Sequence, residues 1–423
     1  MSLRHLEHRL VALVAALAAA GEARGDAPLP PWVEHGAVPP PSWARSVVAK
    51  PGERGRDGDM TLFLGPSRAS GRRGVTAPGA VLPLYAARSG GGCSGRWWLV
   101  GPLAWTCSDD ALPTASEPAA PPTSVGLDGL PREYYFVAPG GASAYASVEA
   151  ATEGVPDREL EGGWGVGVVE HRTDGGERWL RTSKGLWIAG HDLGAARPSA
   201  FHGEELGGGP LDLAWVLPDR ARTFAQPAAK AKAKDARARL QVVHVLEERG
   251  AFVRVGDDEW MQAADLARPH LSAPPEEVGP NERWIDVELA SQTLVAYEGA
   301  RPVYATAVST GRGPAGSDSA TPPGVHRIWV KVFTSDMDNV ERDDLDAHYS
   351  LEDVPYVQFF DHAVALHGTY WHRGFGHVMS HGCVNLAPLD ARTLFDFTGP
   401  RLPAGWVAAY PTAVDPGTVV RVR

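Results

Sequence analysis

Glycine and proline interrupt this chain so often that little room is left for long helices. It holds 48 glycines and 36 prolines among 423 residues, and its 14 tryptophans outnumber its 11 phenylalanines. Glycine supplies turn conformations and proline removes a backbone donor, so such a sequence favours short strands joined by tight turns. The pattern is clearest from Trp284 onward. Residues 284–289, 294–297 and 303–308 read as alternating strands, and the turn Pro322-Pro323-Gly324 leads into another at 325–333. Alternation at period two, with turn residues between the runs, predicts a mainly β, sandwich-like domain with few helices. One helix is expected at 388–397, with proline in its first turn and Leu389, Leu394 and Phe397 sharing a buried face.

The middle of the chain repeats itself weakly. Arg178-Trp179-Leu180-Arg181, then Leu186-Trp187-Ile188, then Asp192-Leu193 recurs as Phe252-Val253-Arg254, Trp260-Met261 and Asp265-Leu266. A looser copy is Trp97-Trp98-Leu99-Val100 followed by Ala104-Trp105-Thr106. Each reads as a strand, a tight turn and a second strand with tryptophan on one face. The pattern resembles the last strands of bacterial SH3-like barrels. That resemblance implies three modules, at 57–113, 131–200 and 210–270, and contact with wall glycans through them. The tryptophans are expected mainly to fill cores, with Trp97 and Trp98 as candidates for stacking on sugars. A Lys/Ala-rich insertion at 228–239 reads as a solvated loop or a short exposed helix.

Composition bounds the partners. A formal charge of −11 argues against nucleic acid, since phosphate binding needs a basic face. The first 23 residues read as an export signal: Arg4 and Arg9 precede an apolar run at 10–20, followed by small residues. That run is too short for a stable membrane anchor. Residues 24–56 read as a linker, proline-rich at 27–41. The expected location is the periplasm or cell envelope. Three cysteines fit an oxidising compartment: Cys93 and Cys107 flank a segment able to fold as a hairpin and pair them, which leaves Cys383 unpaired.

That third cysteine sits in Ser380-His381-Gly382-Cys383-Val384-Asn385, with His367 sixteen positions upstream in Leu366-His367-Gly368. A thiol is a poor nucleophile until a base takes its proton, and a neighbouring histidine can do so. Glycine beside it lets backbone N–H groups approach a developing oxyanion. Together with Thr369-Tyr370-Trp371-His372, Phe375-Gly376 and Asp390-Ala391, this stretch resembles the catalytic segment of a YkuD-type L,D-transpeptidase. Ile285-Asp286-Val287, Gln292-Thr293-Leu294, Val308-Ser309-Thr310-Gly311 and Thr321-Pro322-Pro323-Gly324 extend the likeness across a catalytic domain placed at 281–423.

The resemblance implies that Cys383 attacks a peptidoglycan stem peptide before its terminal D-alanine, forms a thioester, and passes the acyl group to an amine. Neither a cofactor nor a metal is required. His367 is the expected base, oriented by the Gly368 carbonyl. His381 forms the site wall, and the backbone N–H groups of Gly382 and Cys383 face the oxyanion. Ser380 and Asn385 hold the loop, Tyr349 stands on the oxyanion side, and His372 lines the cleft. Water or a free D-amino acid as acceptor gives carboxypeptidase or exchange activity instead, and a silent wall-binding scaffold is the non-enzymatic alternative. A papain-like peptidase is disfavoured because the histidine precedes the cysteine here. The series His362, His367, His372, His377 and His381 suggests zinc, but its spacing of five does not share a helix face and no His-Glu-x-x-His occurs. The charged run at 341–346 reads as a solvated loop.

Overall fold

The computed structural model describes residues 29–33, 35–50, 58–121, 125–340 and 348–423. The export segment and the charged run at 341–346 lie outside them. The chain divides into two compact units, residues 1–72 with 76–121, and 73–75 with 122–423. No helix among the described residues is long and apolar enough to cross a membrane.

In the first unit, Ala86–Arg88, Trp97–Gly101 and Ala104–Cys107 form an antiparallel meander. Ser46–Ala49 pairs on either side with Val81–Pro83 and Ala111–Thr114. A disulfide joins Cys93 to Cys107, with Cα atoms 5.7 Å apart. Trp97, Trp98 and Trp105 are buried, and Trp97 and Trp105 pack with Phe63, Leu99 and Cys107. Trp97 and Trp98 are therefore not free to stack on a sugar. These indoles fill the interior of the unit instead.

The second unit carries two further β modules. One runs from Glu133–Val137 to Leu193–Ala195 around a core that includes Val166, Leu180 and Ile188. The other runs from Leu213–Val216 to Leu266–Ala267 around Val216, Val253 and Met261. The sequence repeat has a structural counterpart. Glu177–Thr182, Trp187–Ala189, a 3-10 turn at Gly190–Asp192 and Leu193–Ala195 match Phe252–Gly256, Glu259–Gln262, a 3-10 turn at Ala263–Asp265 and Leu266–Ala267. The Lys/Ala-rich insertion is neither loop nor helix throughout. Its Ala233–Ala238 portion is a strand paired with Arg220–Phe224, with Arg237 reaching Glu259 at 2.6 Å. Exposure was read correctly there, but a backbone ladder overrides the helix propensity of alanine and lysine.

The C-terminal part is a β-sandwich. One sheet orders Glu204–Glu205, Arg301–Ala307, Thr293–Glu298, Arg283–Glu288, Val419–Val422 and Gly324–Arg327. Across from it, Val330–Asp338, Ser350–Asp361, Val364–Gly368 and Val384–Leu386 pair in sequence. Ile285, Leu294, Val420, Tyr356, Leu366, Val384 and Leu394 form the shared core. The single strand expected at 325–333 is two strands that serve different sheets, broken at Ile328 and Trp329. Ile328 is fully buried at the crossing, so burial of one side chain redirects the backbone where alternation continues.

Pro388–Phe397 is the one α-helix among the described residues, with proline at its start. Its buried face is Asp390, Ala391, Leu394 and Phe395; Leu389 and Phe397 are only partly buried. Leu394 lies on the expected stripe, but Asp390 and Phe395 take the buried positions beside it in place of Leu389 and Phe397. Asp390 accepts from the Gly203 N–H and the Tyr304 hydroxyl, both at 2.7 Å, and from the Thr306 hydroxyl. Burial pushes its carboxyl up to about 6 despite those donors. At the other end Lys331 is buried, and its Nζ donates to the carbonyls of Phe395 and Thr398. A cation there meets the negative end of the helix dipole, although burial lowers its pKa to about 7.

Candidate active site

Parallel pairing of two short strands sets the site. Val364–Gly368 lies beside Val384–Leu386, matching Leu366 with Val384, His367 with Asn385 and Gly368 with Leu386. Cys383 stands immediately before the second strand. A residue pair sixteen apart in sequence is thereby brought onto neighbouring backbones.

His367 is 2% exposed, and its Nδ1 lies 3.1 Å from the Gly368 carbonyl. Only a ring N–H can satisfy that oxygen, so the neutral imidazole keeps Nε2 as its acceptor. The ring stacks on Trp371 at 5.7 Å. Burial lowers its pKa to about 4, outweighing the Gly368 hydrogen bond. The half-buried Cys383 thiol is pushed up to about 11, again by burial. Both groups are uncharged at neutral pH.

The loop carrying the thiol is tied to the opposite sheet by backbone bonds. Met379 and Ser380 N–H groups donate to the Thr310 carbonyl at 3.0 and 3.1 Å, and the Arg312 N–H donates to Ser380 at 3.0 Å. Asn385 exchanges two backbone bonds with Ser309, at 2.8 and 3.0 Å. Ser380 Oγ donates to the Cys383 carbonyl at 2.5 Å and accepts the Gly382 N–H at 3.1 Å. The Gly382 N–H is therefore engaged within the loop rather than presented to an oxyanion. Its φ of +132° is a conformation that favours glycine, and a Cβ there would lie 3.4 Å from the Ala320 carbonyl. Thr321 Oγ1 donates to the Gly382 carbonyl at 2.7 Å and accepts the Gly311 N–H at 2.9 Å.

His381 stacks on Tyr349 with ring centroids 5.6 Å apart and planes 14° from parallel. Its Nε2 is 2.7 Å from Arg312 Nη2, and burial together with that guanidinium lowers its pKa. Tyr349 is shifted upward, first by burial and then by Cys383. His372 Nδ1 accepts the Gly374 N–H at 3.1 Å, and its Nε2 lies 2.8 Å from the Asn385 side-chain amide. Burial, then His367, lower its pKa to about 4. The remaining histidines scatter: His362 is exposed, and His377 Nε2 faces Arg239 at 3.3 Å. Guanidinium donors at His377 and His381 occupy the lone pairs a metal would need.

Sequence reasoning did not assign the supports. Gln292, with φ of 53°, donates to Thr310 Oγ1 at 2.6 Å and accepts the Thr310 N–H at 2.9 Å. Arg239, from the second module, donates to the carbonyls of Leu217 and Phe375. Gln292, Thr310 and Thr321 sit inside recognisable blocks, so their polarity at strand ends was a usable signal. Arg239 lies in the Lys/Ala-rich insertion and carried none.

Residues 282–422 match the YkuD family, described as the L,D-transpeptidase catalytic domain. This segment is a YkuD domain. Similar solved structures include L,D-transpeptidases from three organisms. The Enterococcus faecium protein is 22% identical over 34% of this chain and 50% of its own, with a TM-score of 0.25. The Stackebrandtia nassauensis protein is 29% identical over 35% and 58%, with a TM-score of 0.23. The Mycobacterium smegmatis protein is 17% identical over 61% and 93%, with a TM-score of 0.27. The chain thus spans between half and three-fifths of the first two. No curated protein matches it.

Proposed function

We propose that the chain is an exported peptidoglycan L,D-transpeptidase in which Cys383 is the nucleophile and His367 the base. The observation that carries this reading is the bond from His367 Nδ1 to Gly368, which leaves Nε2 as an acceptor on the strand beside Cys383. The thiol gives its proton to Nε2 as sulfur attacks the carbonyl carbon before the terminal D-alanine of a stem peptide. Because the resting pair is neutral, proton transfer accompanies attack rather than preceding it. The oxyanion meets the Cys383 N–H and the Tyr349 hydroxyl, while Gly382 and Ser380 shape the loop. The C–N bond breaks, His367 returns its proton to the leaving amine, and a thioester remains. An amine of a second stem then attacks, giving a 3→3 cross-link and restoring the thiol; water in its place gives carboxypeptidase action. The small β modules are assigned to SH3-like architecture and to positioning the domain at the wall.

Intact-mass spectrometry of the full chain with a carbapenem tests the nucleophile. One adduct is expected on the parent and none on Cys383→Ala. An adduct on the variant overturns the assignment. A free thiol that takes no adduct in the parent shifts the reading to a wall-binding scaffold. A tetrapeptide stem with and without an amine acceptor then separates cross-linking from trimming by product mass.

A further inference from the structure

Arg312 borders the loop that carries Cys383, and most of its side-chain donors are left over. Its backbone is pinned on both sides. The Arg312 N–H donates to the Ser380 carbonyl at 3.0 Å, and the Gly313 N–H to the Ser319 carbonyl at 3.0 Å. The Gly311 N–H donates to Thr321 Oγ1 at 2.9 Å, and a Cβ on Gly311 would lie 2.3 Å from the Ser319 oxygen. The side chain, by contrast, is exposed, with Nη2 2.7 Å from His381 Nε2. A guanidinium can only donate, so that nitrogen accepts and His381 carries its ring hydrogen on Nδ1. Among the described residues this is the one side-chain hydrogen bond of Arg312, and no ion pair to it is formed there. Other arginines of the region are engaged by backbone. Arg239 donates to the carbonyls of Leu217 and Phe375, and Arg373 Nε to the Arg197 carbonyl at 2.9 Å.

A rigidly based guanidinium without a counter-ion, held on His381, suits an anionic ligand beside the thiol. His381 precedes Cys383 by two residues, a chain length of at most about 7 Å. In a peptide attacked before its last residue, one residue length of about 3.5 Å separates the attacked carbonyl from the terminal carboxylate. The fork of a guanidinium matches a carboxylate through two parallel N–H···O bonds. We propose that Arg312 is a specificity-determining residue that binds the free carboxylate of the terminal D-alanine. It thereby selects stems that end one residue past the attacked carbonyl. This role rests on the reading of Cys383 as nucleophile and adds what distinguishes its substrate. Support of His381 alone would make no difference between a terminal carboxylate and a terminal amide.

The experiment is calorimetric titration of Cys383→Ala, which cannot consume its ligand, with a synthetic stem tetrapeptide ending in D-alanine. The peptide is supplied as the free acid and as the C-terminal carboxamide. Both are also titrated into Cys383→Ala combined with Arg312→Gln or Arg312→Lys; Arg312 is exposed, so neither change empties a core. With Arg312 present, the acid is expected to bind about ten-fold or more tightly than the amide. Arg312→Gln should erase that difference by weakening the acid alone. Arg312→Lys keeps the charge but not the fork, and should retain part of it. Equal weakening of acid and amide by Arg312→Gln reduces the side chain to a support for His381 and overturns the proposal. Equal binding of the two peptides with Arg312 present, or binding of neither, overturns it as well. Release of D-alanine by the parent is read separately by mass. If none is released although acid-selective binding depends on Arg312, the reading of Cys383 fails and the carboxylate site stands. Release from acid and amide at equal rates, with equal binding, leaves Cys383 in place and removes Arg312.

Discussion

The two small modules of the second unit share a strand–turn–strand–3-10–strand pattern but meet the YkuD domain through different contacts. The module at 133–195 makes an aromatic and buried contact. Tyr134 stacks on Tyr370 at 3.9 Å and donates to the Asp353 carbonyl at 2.6 Å, and Gly165 pairs with Leu351 in parallel. The module at 213–267 adds a polar contact to a shared core: Leu213 and Trp215 are buried with Trp284, Tyr297 and Phe375, while Arg239 reaches the Phe375 carbonyl and the ring of His377. Gly376 packs so close to Leu217 that a Cβ there would lie 2.3 Å from Cδ2. The first module supports the long strand Ser350–Asp361, and the second clamps the loop between His367 and Cys383. A repeated scaffold thus does two jobs, because its interior residues repeat and its surface residues do not.

Tyr134→Ala should break the comparison most severely. Removal of a buried aromatic ring is expected to cost about 3–5 kcal/mol, read as a lower urea midpoint. The folded fraction should still be acylated by a carbapenem at the parental rate. If stability is unchanged, the aromatic contact is not what joins this module to the strand. Arg239→Ala should do the reverse. Loss of donors to two carbonyls is expected to lower stability by only about 1–3 kcal/mol while slowing Cys383 acylation. Equal rates in parent and variant would show that the clamp does not shape the loop.

The finest test is the pH dependence of the site that both modules surround. His367 sits near 4 when folded against an ordinary 6.5, so the unfolded chain takes up a proton that the folded chain refuses. This group therefore removes stability as pH falls from 6.5 toward 4, and no further below that. Cys383 has the opposite sign. Its folded value near 11 exceeds the ordinary 9.0, so stability is lost as pH rises through that interval. Lys331, Asp390 and Glu352 titrate in the same range with the opposite sign, so the readout is a difference: between pH 9 and 11 the urea midpoint of the parent should fall relative to that of Cys383→Ala. An alkaline slope identical in the variant would place its origin in another group.

Strand content, the helix at 388–397 and the repeat of Trp187 and Trp260 were legible because period-two alternation and turn residues are local signals. The position of the helix stripe was not, since Asp390 is buried only because Gly203, Tyr304 and Thr306 converge on it from elsewhere in the chain. The same holds for Trp97 and Trp98. Paired indoles look alike in sequence whether they fill a core or line a groove, and burial places Trp97 and Trp98 in a core.

The amino-acid order by itself determined the mainly β class, the separation of Cys383 from the two cysteines that pair, and the block of residues around His367 and Cys383. Those follow from composition, parity and short-range pattern. Tertiary structure alone decided the protonation of the pair, because burial moves both groups away from charge. It also decided which N–H groups the loop consumes, and that an arginine from the Lys/Ala-rich insertion reaches the loop before Cys383. Each of these depends on contacts between residues far apart in sequence, which local order does not encode.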